Sequence, residues 1–451
     1  MLHSDSINDN ICAISTPPGF GGIAVVRVSG PDAIQIVNTI FSKEISKAKG
    51  YSLHYGKIIK NNHDIDQVVV SIFKSPKSFT GEDVVEISCH GSTYIQQEIL
   101  LLLIENGARI AKPGEFSQKA FINGKMDLTQ TEAIADLIHA KSKSAHDIAL
   151  NQMKGGFANE LSILRTKLIE LASLVELELD FSEEDVEFAD RDQLQSLIET
   201  IIQNLEKLKQ SFNYGNAIKN GVPVVILGRP NAGKSTLLNN LIDDDRALVS
   251  DIPGTTRDTI EESSIINGIE FKFIDTAGIR ETKDKVEKMG VERTLSMVER
   301  ASILVYVYDA STTALEEVEQ DLLAFQKVAI PKLIIANKID LVNNVKFKQH
   351  LNISATNKED IEKVKSKVLD LFSSLAENHE GVILTNARHL EAIQLSIADL
   401  SKVRDGLNNK SSGEFIAMDI RQSLHHIGTI TGEISSDELL GNIFANFCIG
   451  K

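Results

Sequence analysis

Four consecutive apolar residues, Val224-Val225-Ile226-Leu227, predict a buried strand, and Leu237, Leu238 and Leu241 keep the three-and-four spacing of a helix face. Phe271–Ile274 and Leu333–Ala336 repeat the strand signal further on. The first ~120 residues carry shorter runs, which the strand and turn signals divide into small elements. Strands are predicted over Ile23–Val28, Asp66–Phe73 and Asp83–Cys89, with a helix near Tyr94–Asn106. From Asp127 the spacing becomes helical. Leu161, Leu164, Leu168, Leu171 and Val175 form one stripe, and Leu194, Leu197, Ile201, Leu205, Leu208 and Phe212 a second. Asp180–Asp192 is acidic and reads as the bend between them, and Gly215–Gly221 reads as a linker. Helical spacing returns at Leu390, Ile393, Ile397, Leu400, Val403 and Leu407.

This order of patterns predicts a multidomain α/β plus α chain. The expected division is an α+β domain over 1–123, a helical segment over 124–220, a compact α/β domain over 221–378 and a second helical segment over 379–451. Neither helical segment is long enough to bury two faces comfortably, so the α/β domain is expected to be inserted into one discontinuous helical domain. Separate helical domains in tandem are the alternative.

Composition narrows the picture. With 42% apolar residues among 451, the chain can bury full cores in two or three domains. A formal charge of −16, from 47 basic and 63 acidic residues, argues against a chain-wide basic surface that grips nucleic acid unaided. Cys12, Cys89 and Cys448 are far apart and form no C-x-x-C, so neither a disulfide framework nor a zinc site is indicated. Met1–Asn10 lacks an apolar stretch, and the longest purely aliphatic run, Ile99–Ile104, is far short of a membrane span. A cytoplasmic, reducing location without a membrane span is expected.

The chemistry begins between the strand at Val224 and the helix near Lys234, where G-x-x-x-x-G-K-S runs from Gly228 to Ser235. Glycines in such a loop let successive backbone N–H groups turn toward an anion, and the following helix adds the positive end of its dipole. Lys234 is expected on the β- and γ-phosphates and the Ser235 hydroxyl on Mg²⁺. Asn231, Ala232, Gly233 and Thr236 complete the loop. The strand at Phe271 ends in Asp275-Thr276-Ala277-Gly278, where a carboxylate can hold Mg²⁺ through water and a glycine N–H can approach the γ-phosphate. The strand at Leu333 ends in Asn337-Lys338-Ile339-Asp340. The Asp340 carboxylate can accept from N1–H and the exocyclic amine of guanine, whereas adenine has no donor at N1. Ser354 and Ala355 fit the loop that faces the guanine oxygen. Together these segments predict a GTP-binding domain.

Ras-type GTPases place a glutamine after D-x-x-G to orient the attacking water. Here Ile279 stands there and cannot hydrogen-bond. Arg280, Glu281 and Glu287 follow in a polar loop, with Arg280 a candidate finger in cis. Upstream, Ser250-Asp251-Ile252-Pro253-Gly254-Thr255-Thr256 supplies hydroxyls where a switch loop must close over Mg²⁺. Asn231 adds a neutral amide oxygen, so a monovalent cation held with switch-loop carbonyls is a second way to neutralise transition-state charge.

Over essentially its whole length the chain resembles the MnmE (TrmE) family of bacterial tRNA-modification GTPases. G-R-P-N-A-G-K-S from Gly228, P-G-T-T-R-D from Pro253, D-T-A-G-I-R-E from Asp275 and N-K-x-D from Asn337 are shared with other GTPases. The rarer motifs are P-P-G-x-G-G from Pro17, S-F-T-G-E-D from Ser78, H-G from His90 and P-G-E-F-S from Pro113, with A-F-x-N-x-K-x-D-L from Ala120 and F-C-I-G-K from Phe447. The resemblance implies a folate-binding-like N-terminal domain that forms a constitutive homodimer and binds a 5-formyl- or methylene-tetrahydrofolate donor through Arg27, Glu86, Lys125 and Lys451. It implies an inserted Ras-like P-loop domain with K⁺ held by Asn231, Ser250, Ile252 and Thr255. Mg²⁺ falls to Ser235 and Thr256, and Glu287 helps position the hydrolytic water. Ser250 stands where many members have Thr, and Pro253, unlike the G-T-T-R-D that follows it, departs from the family as well. Cys448 is a candidate nucleophile by its place in the terminal motif. Its alternative role is packing the tail, since no base beside it is identifiable and a reactive thiol needs a lowered pKa.

The function implied is GTP hydrolysis in C5 modification of the tRNA wobble uridine, adding aminomethyl or carboxymethylaminomethyl groups with an FAD-dependent partner of the MnmG (GidA) type. GTP-driven pairing of the GTPase domains would order the switch loops, and the partner would carry most of the tRNA grip. The alternative is a non-enzymatic, ribosome-associated GTPase switch, which has no use for a pterin site.

Overall fold

The computed structural model describes residues 9–180, 191–242, 261–275, 297–326, 328–342, 349–375, 381–409, 411–445 and 447–450. Its contacts fall into two compact units. One comprises Met1–Ile138, Leu150–Gln195 and Ala398–Lys451, and the other His139–Ala149 and Ser196–Ile397. The chain therefore leaves the first unit twice, after Ile138 and after Gln195, and returns to it twice, at Leu150 and at Ala398.

In the first unit, strands β1 (Ile11–Ile14), β2 (Gly21–Ser29), β3 (Ser52–Lys60), β4 (His63–Phe73), β5 (Val84–Gly91) and β6 (Arg109–Ile110) form one sheet in the order β3-β4-β5-β2-β1-β6. All pairs are antiparallel except β1 with β6. Along β2, Ala24, Val26 and Val28 are buried while Val25 and Arg27 on the other face stay partly exposed, the period-two alternation of a strand with one face turned to the core. Helices α1 (Ala33–Ile40) and α2 (Thr93–Glu105) contribute Ile34, Val37, Ile99 and Leu103 to the core beneath that face.

Helices follow: α3 (Glu115–Ile122), α4 (Leu128–His139), α5 (Lys143–Met153), α6 (Gly156–Asp180) and α7 (Arg191–Asn220). Leu161, Leu164, Leu168, Leu171 and Val175 are buried along α6, as their stripe predicts. The segment Gly215–Gly221 is not a linker, because α7 continues to Asn220. A Cβ on Gly215 would lie 2.3 Å from the Leu384 carbonyl oxygen, so this glycine serves close packing, not chain freedom. The predicted bend, Asp180–Asp192, lies almost wholly outside the described residues.

The second unit holds β7 (Val222–Leu227), α8 (Lys234–Ile242), β8 (Glu261–Ile266), β9 (Ile269–Asp275), β10 (Ile303–Asp309), α9 (Leu315–Leu323), β11 (Lys332–Asn337), β12 (Leu351–Asn352) and α10 (Lys358–Ser374). The sheet order is β12-β11-β10-β7-β9-β8, parallel except for β8 against β9. Both faces are covered, which explains the unbroken apolar runs. Val224, Ile226 and Phe273 pack with Leu237 of α8 and Val364 of α10, while Val225, Leu304 and Tyr306 face Val318 of α9.

Helix α11 (Ala387–Asn408) starts in the second unit and ends in the first, and α12 (Gly413–Thr431) and α13 (Asp437–Phe444) close the chain. Ion pairs Arg165–Glu433 and Arg421–Glu176, each at 2.7 Å, join α6 to α12 and the turn after it. Leu440 and Phe444 of α13 are buried with Leu128 and Phe447. No described helix is long and apolar enough to cross a membrane.

Candidate functional site

Parallel α/β sheets offer ligands the carboxyl ends of their strands. Here the carboxyl ends of β7, β9, β10 and β11 deliver Gly228, Asp275, Asp309 and Asn337 to one edge, with Asp309 directly beside Asn337. Gly228 passes so close to β10 that a Cβ would lie 1.9 Å from the Val307 carbonyl oxygen. Asn231 is exposed in the left-handed region at φ +61°. Gly233, at φ +93°, leaves no space for a Cβ either, which would meet Asn337 Nδ2 at 2.2 Å. The loop is thus built for backbone approach, and its N–H groups lead into the amino end of α8.

Lys234 opens α8 and is nine-tenths buried, with its ammonium donating to the Gly228 and Arg229 carbonyls at 3.0 and 2.9 Å. Ser235 and Thr236 are exposed in the same first turn. This donor set fits a magnesium–nucleotide: an ammonium beside the loop, a hydroxyl at the helix start, and glycines where a Cβ would fill the cradle.

Asn337 joins two recognition loops. Its Nδ2 donates to the Ala232 carbonyl at 2.8 Å, and its Oδ1 accepts the Ala355 N–H at 2.9 Å. Lys338 adopts φ +62° and pairs with Asp309 at 2.7 Å. Burial alone would raise the Asp309 pKa, but Lys338 and Ser311 hydrogen bonds outweigh it and hold the carboxyl below its ordinary value. Asp340 is exposed within a short 3₁₀ turn, Ile339–Leu341. The Ser354 N–H donates to Asp360 at 2.9 Å, its hydroxyl meets that of Thr356, and Asn240 caps the Ala355 carbonyl at 2.8 Å. Asp309, Asp360 and Asn240 were not predicted from sequence. Asp309 and Asn240 meet Lys338 and Ala355, 29 and 115 positions away, and no motif marks Asp360 either, although its partners Ser354 and Lys363 are near it in the chain.

Asp275 is placed by its backbone, as the last residue of β9 in register with Ile226. Ser250, Asp251, Ile252, Pro253, Gly254, Thr255, Thr256, Thr276, Ala277, Gly278, Ile279, Arg280, Glu281, Glu287 and Lys451 lie outside the described residues.

In the first unit, Arg27 of β2 faces Glu86 of β5, with Nε 2.9 Å from Oε1. Its guanidinium also donates to the Gly450 carbonyl at 3.3 Å and lies 5.5 and 5.6 Å from the ring centres of Phe79 and Phe116. Gly450 is held a second time, by the Ser15 hydroxyl at 3.2 Å. Lys125 donates to the Pro76 carbonyl at 2.9 Å. The loop carrying Phe79 is pinned by a buried network in which Lys119 reaches both oxygens of Glu82 at 2.9 Å and Ser29 bonds Thr80 at 2.7 Å. Arg109 clamps Glu115, so Glu82 of S-F-T-G-E-D and Glu115 of P-G-E-F-S are internal ion-pair partners. Cys448 is exposed, and its carbonyl accepts from the Gly114 N–H at 3.3 Å.

A six-stranded, mostly parallel sheet, a G-x-x-x-x-G-K-S loop between strand and helix, and N-K-x-D joined to the loop at Ala355 define a P-loop GTPase. Residues 128–448 match the family described as the MnmE helical domain, and residues 10–125 match the GTP-binding protein TrmE N-terminus. The chain belongs to the MnmE (TrmE) family. It is 48% identical over 99% of its length to the whole of "tRNA modification GTPase MnmE" from Christiangramia forsetii. It is 49% identical over 98% of its length to 98% of the protein of that name from Cytophaga hutchinsonii. Among solved structures, a GTP-binding protein from Sulfolobus solfataricus in complex with GDP aligns at 18% identity and a TM-score of 0.28, covering 59% of this chain and 80% of that one. So low a TM-score carries no weight for the fold.

Proposed function

We propose that this GTPase acts in tRNA modification, as the subunit that couples GTP hydrolysis to C5 modification of the wobble uridine (U34). The near-complete alignment with relatives named as tRNA modification GTPases carries this reading, since it takes in the N-terminal sheet and the C-terminal tail as well as the nucleotide site. Lys234 would bind the β- and γ-phosphates, Ser235 and Thr256 would hold Mg²⁺, and Asp275 to Gly278 would frame the γ-phosphate. Asp340 would read guanine, with Asn337, Lys338, Ser354 and Ala355 shaping its pocket. K⁺ would lie between Asn231, Ser250, Ile252 and Thr255, with Glu287 positioning water and Arg280 as the second candidate.

The proposed N-terminal site takes a 5-formyl- or methylene-tetrahydrofolate on Arg27, Glu86, Lys125 and Lys451. The Arg27–Glu86 pair and the tail fastened beside it support that assignment. Bound there, the folate supplies the one-carbon unit. Arg27 and Lys125 can hold an anionic tail, and Glu86 can accept from a pterin N–H face. The four-segment division at 123, 220 and 378, a homodimer through the N-terminal domain, an FAD-dependent partner and a cytoplasmic location belong to the same reading. A ribosome-associated switch is the alternative, and folate binding separates the two.

The test is steady-state GTP hydrolysis in K⁺ against Na⁺ at matched ionic strength, with an Asn231→Lys variant, together with tetrahydrofolate titration. K⁺ stimulation lost in the variant and saturable folate binding support the proposal. Equal rates in both salts remove the cation and leave Arg280 as the candidate. A chain that binds no folate moves the reading to the switch.

A further inference from the structure

The second residue of the P-loop carries a side chain that the nucleotide chemistry has not used. Arg229 points to α9 and not to the phosphate cradle: its Nε donates to Asp321 at 2.8 Å and its Nη1 to Glu317 at 2.6 Å. Tyr306, buried in β10, donates to the same Asp321 carboxylate at 2.5 Å. Tyr306 also stands in register with Leu227, two residues before Arg229, so strand, loop and helix meet at one carboxylate. Glu317 is itself held, with its second oxygen accepting the Ala314 N–H at 3.0 Å. The Arg229 main chain does a separate job, since its carbonyl is one of the two that receive the Lys234 ammonium.

We propose that Arg229 is a positioning residue for Lys234. Its side chain anchors the P-loop to Asp321 and Glu317 of α9, and that anchor fixes the carbonyl on which the Lys234 ammonium rests before nucleotide arrives. To reach the phosphates, Lys234 must exchange those carbonyls for phosphate oxygens. A fixed carbonyl keeps the ammonium within reach of the incoming phosphates. A released one spreads it over many positions, which binding must then order. The consequence belongs to affinity and KM, not to turnover at saturation. Asp321, which lies on α9 outside the P-loop, should therefore influence nucleotide affinity as strongly as Arg229 does.

The Arg229 side chain is 36% exposed, so solvent screening trims the bidentate contact. A loss of roughly three- to ten-fold in affinity is expected. The experiment measures equilibrium binding of fluorescent GDP and steady-state GTP hydrolysis in the full chain, for Arg229→Ala, Asp321→Asn and the double variant. Thermal unfolding without nucleotide is recorded alongside. Each single variant should raise Kd and KM with kcat held within about two-fold, and the double variant should equal the worse single one, as coupled partners do. Arg229→Lys keeps the charge but not the fork and should recover only part of the loss.

Unchanged affinity in the single variants, additive losses in the double variant, or a fall in kcat that exceeds the rise in KM would each overturn the proposal. If Arg229→Ala fails to fold, Arg229→Lys and Glu317→Gln decide it. A raised Kd with unfolding temperature unchanged supports the anchor, and a lowered unfolding temperature with Kd unchanged rejects it.

Discussion

The side chain of Asn337 holds Ala232 of the P-loop through its Nδ2, while its Oδ1 takes the Ala355 N–H. One buried amide therefore fixes the spacing between the phosphate side and the base side of the nucleotide site. Replacement by alanine removes a partner from two groups that burial has taken from water. It should cost about 2–4 kcal/mol on that count. Urea unfolding of the nucleotide-free protein would show the lowered midpoint, and GDP titration should show weakened binding in step. A lowered midpoint with affinity intact would mean that the amide supports the fold without setting the site.

The pair Glu82–Lys119 is buried, with side-chain exposures of 15% and 4%. Removing one member of such a pair leaves a buried charge without its counterpart and costs about 3–5 kcal/mol, whereas replacing both with apolar side chains is far milder. Lys119→Met should lower the denaturant midpoint strongly, and Glu82→Leu in the same chain should restore most of it. Equal damage from the single and double variants would show that packing, not charge, is what the pair supplies.

Those two residues also mark what the sequence could reveal. Val224–Leu227 was readable as a strand because both faces of the sheet are covered, and the α6 stripe because one helix face packs. Glu82 and Lys119 stand 37 positions apart, and Arg27 and Gly450 stand 423 apart. Their motifs were visible, but local spacing carries no record of which loop folds against which. Gly215 misled for the opposite reason. A glycine in a polar run reads as a break, yet here it lets α7 approach the Leu384 carbonyl. Helix α1, Ala33–Ile40, was missed because it is short and rich in β-branched residues, and no side chain caps its start.

The three thiols should differ sharply toward an alkylating reagent. Burial pushes Cys12 up to about 12 and Cys89 to about 11, so at pH 8 neither holds an appreciable thiolate fraction, while Cys448 is exposed. Mass spectrometry after brief iodoacetamide treatment should find one label, on Cys448, and three after denaturation. Because the raised values lie far above the working range, moving from pH 7 to pH 9 should not open the two buried sites. Alkylated protein that still supports tRNA modification would remove Cys448 from the chemistry.

The C-terminal tail gives the sharpest test of the folate site proposed for the N-terminal sheet. Gly450 adopts φ +94°, and a Cβ there would lie 2.6 Å from the Ile14 carbonyl oxygen, so an alanine meets both a forbidden backbone region and a backbone atom that cannot yield. The expected cost is about 1–3 kcal/mol, taken up by the tail lifting from Ser15 and Arg27 and leaving the sheet intact. Gly450→Ala should then weaken tetrahydrofolate binding by roughly ten-fold or more, with the main unfolding transition in place. Arg27→Lys separates the two roles of that residue: it can still salt-bridge Glu86, but a point ammonium cannot serve Glu86 and the Gly450 carbonyl in one fork. Its folate affinity should fall in parallel with that of Gly450→Ala, and the two changes together should do no more than the worse alone. Independent losses would mean that tail and guanidinium act on the ligand separately, and full folate affinity in Gly450→Ala would remove the tail from the site.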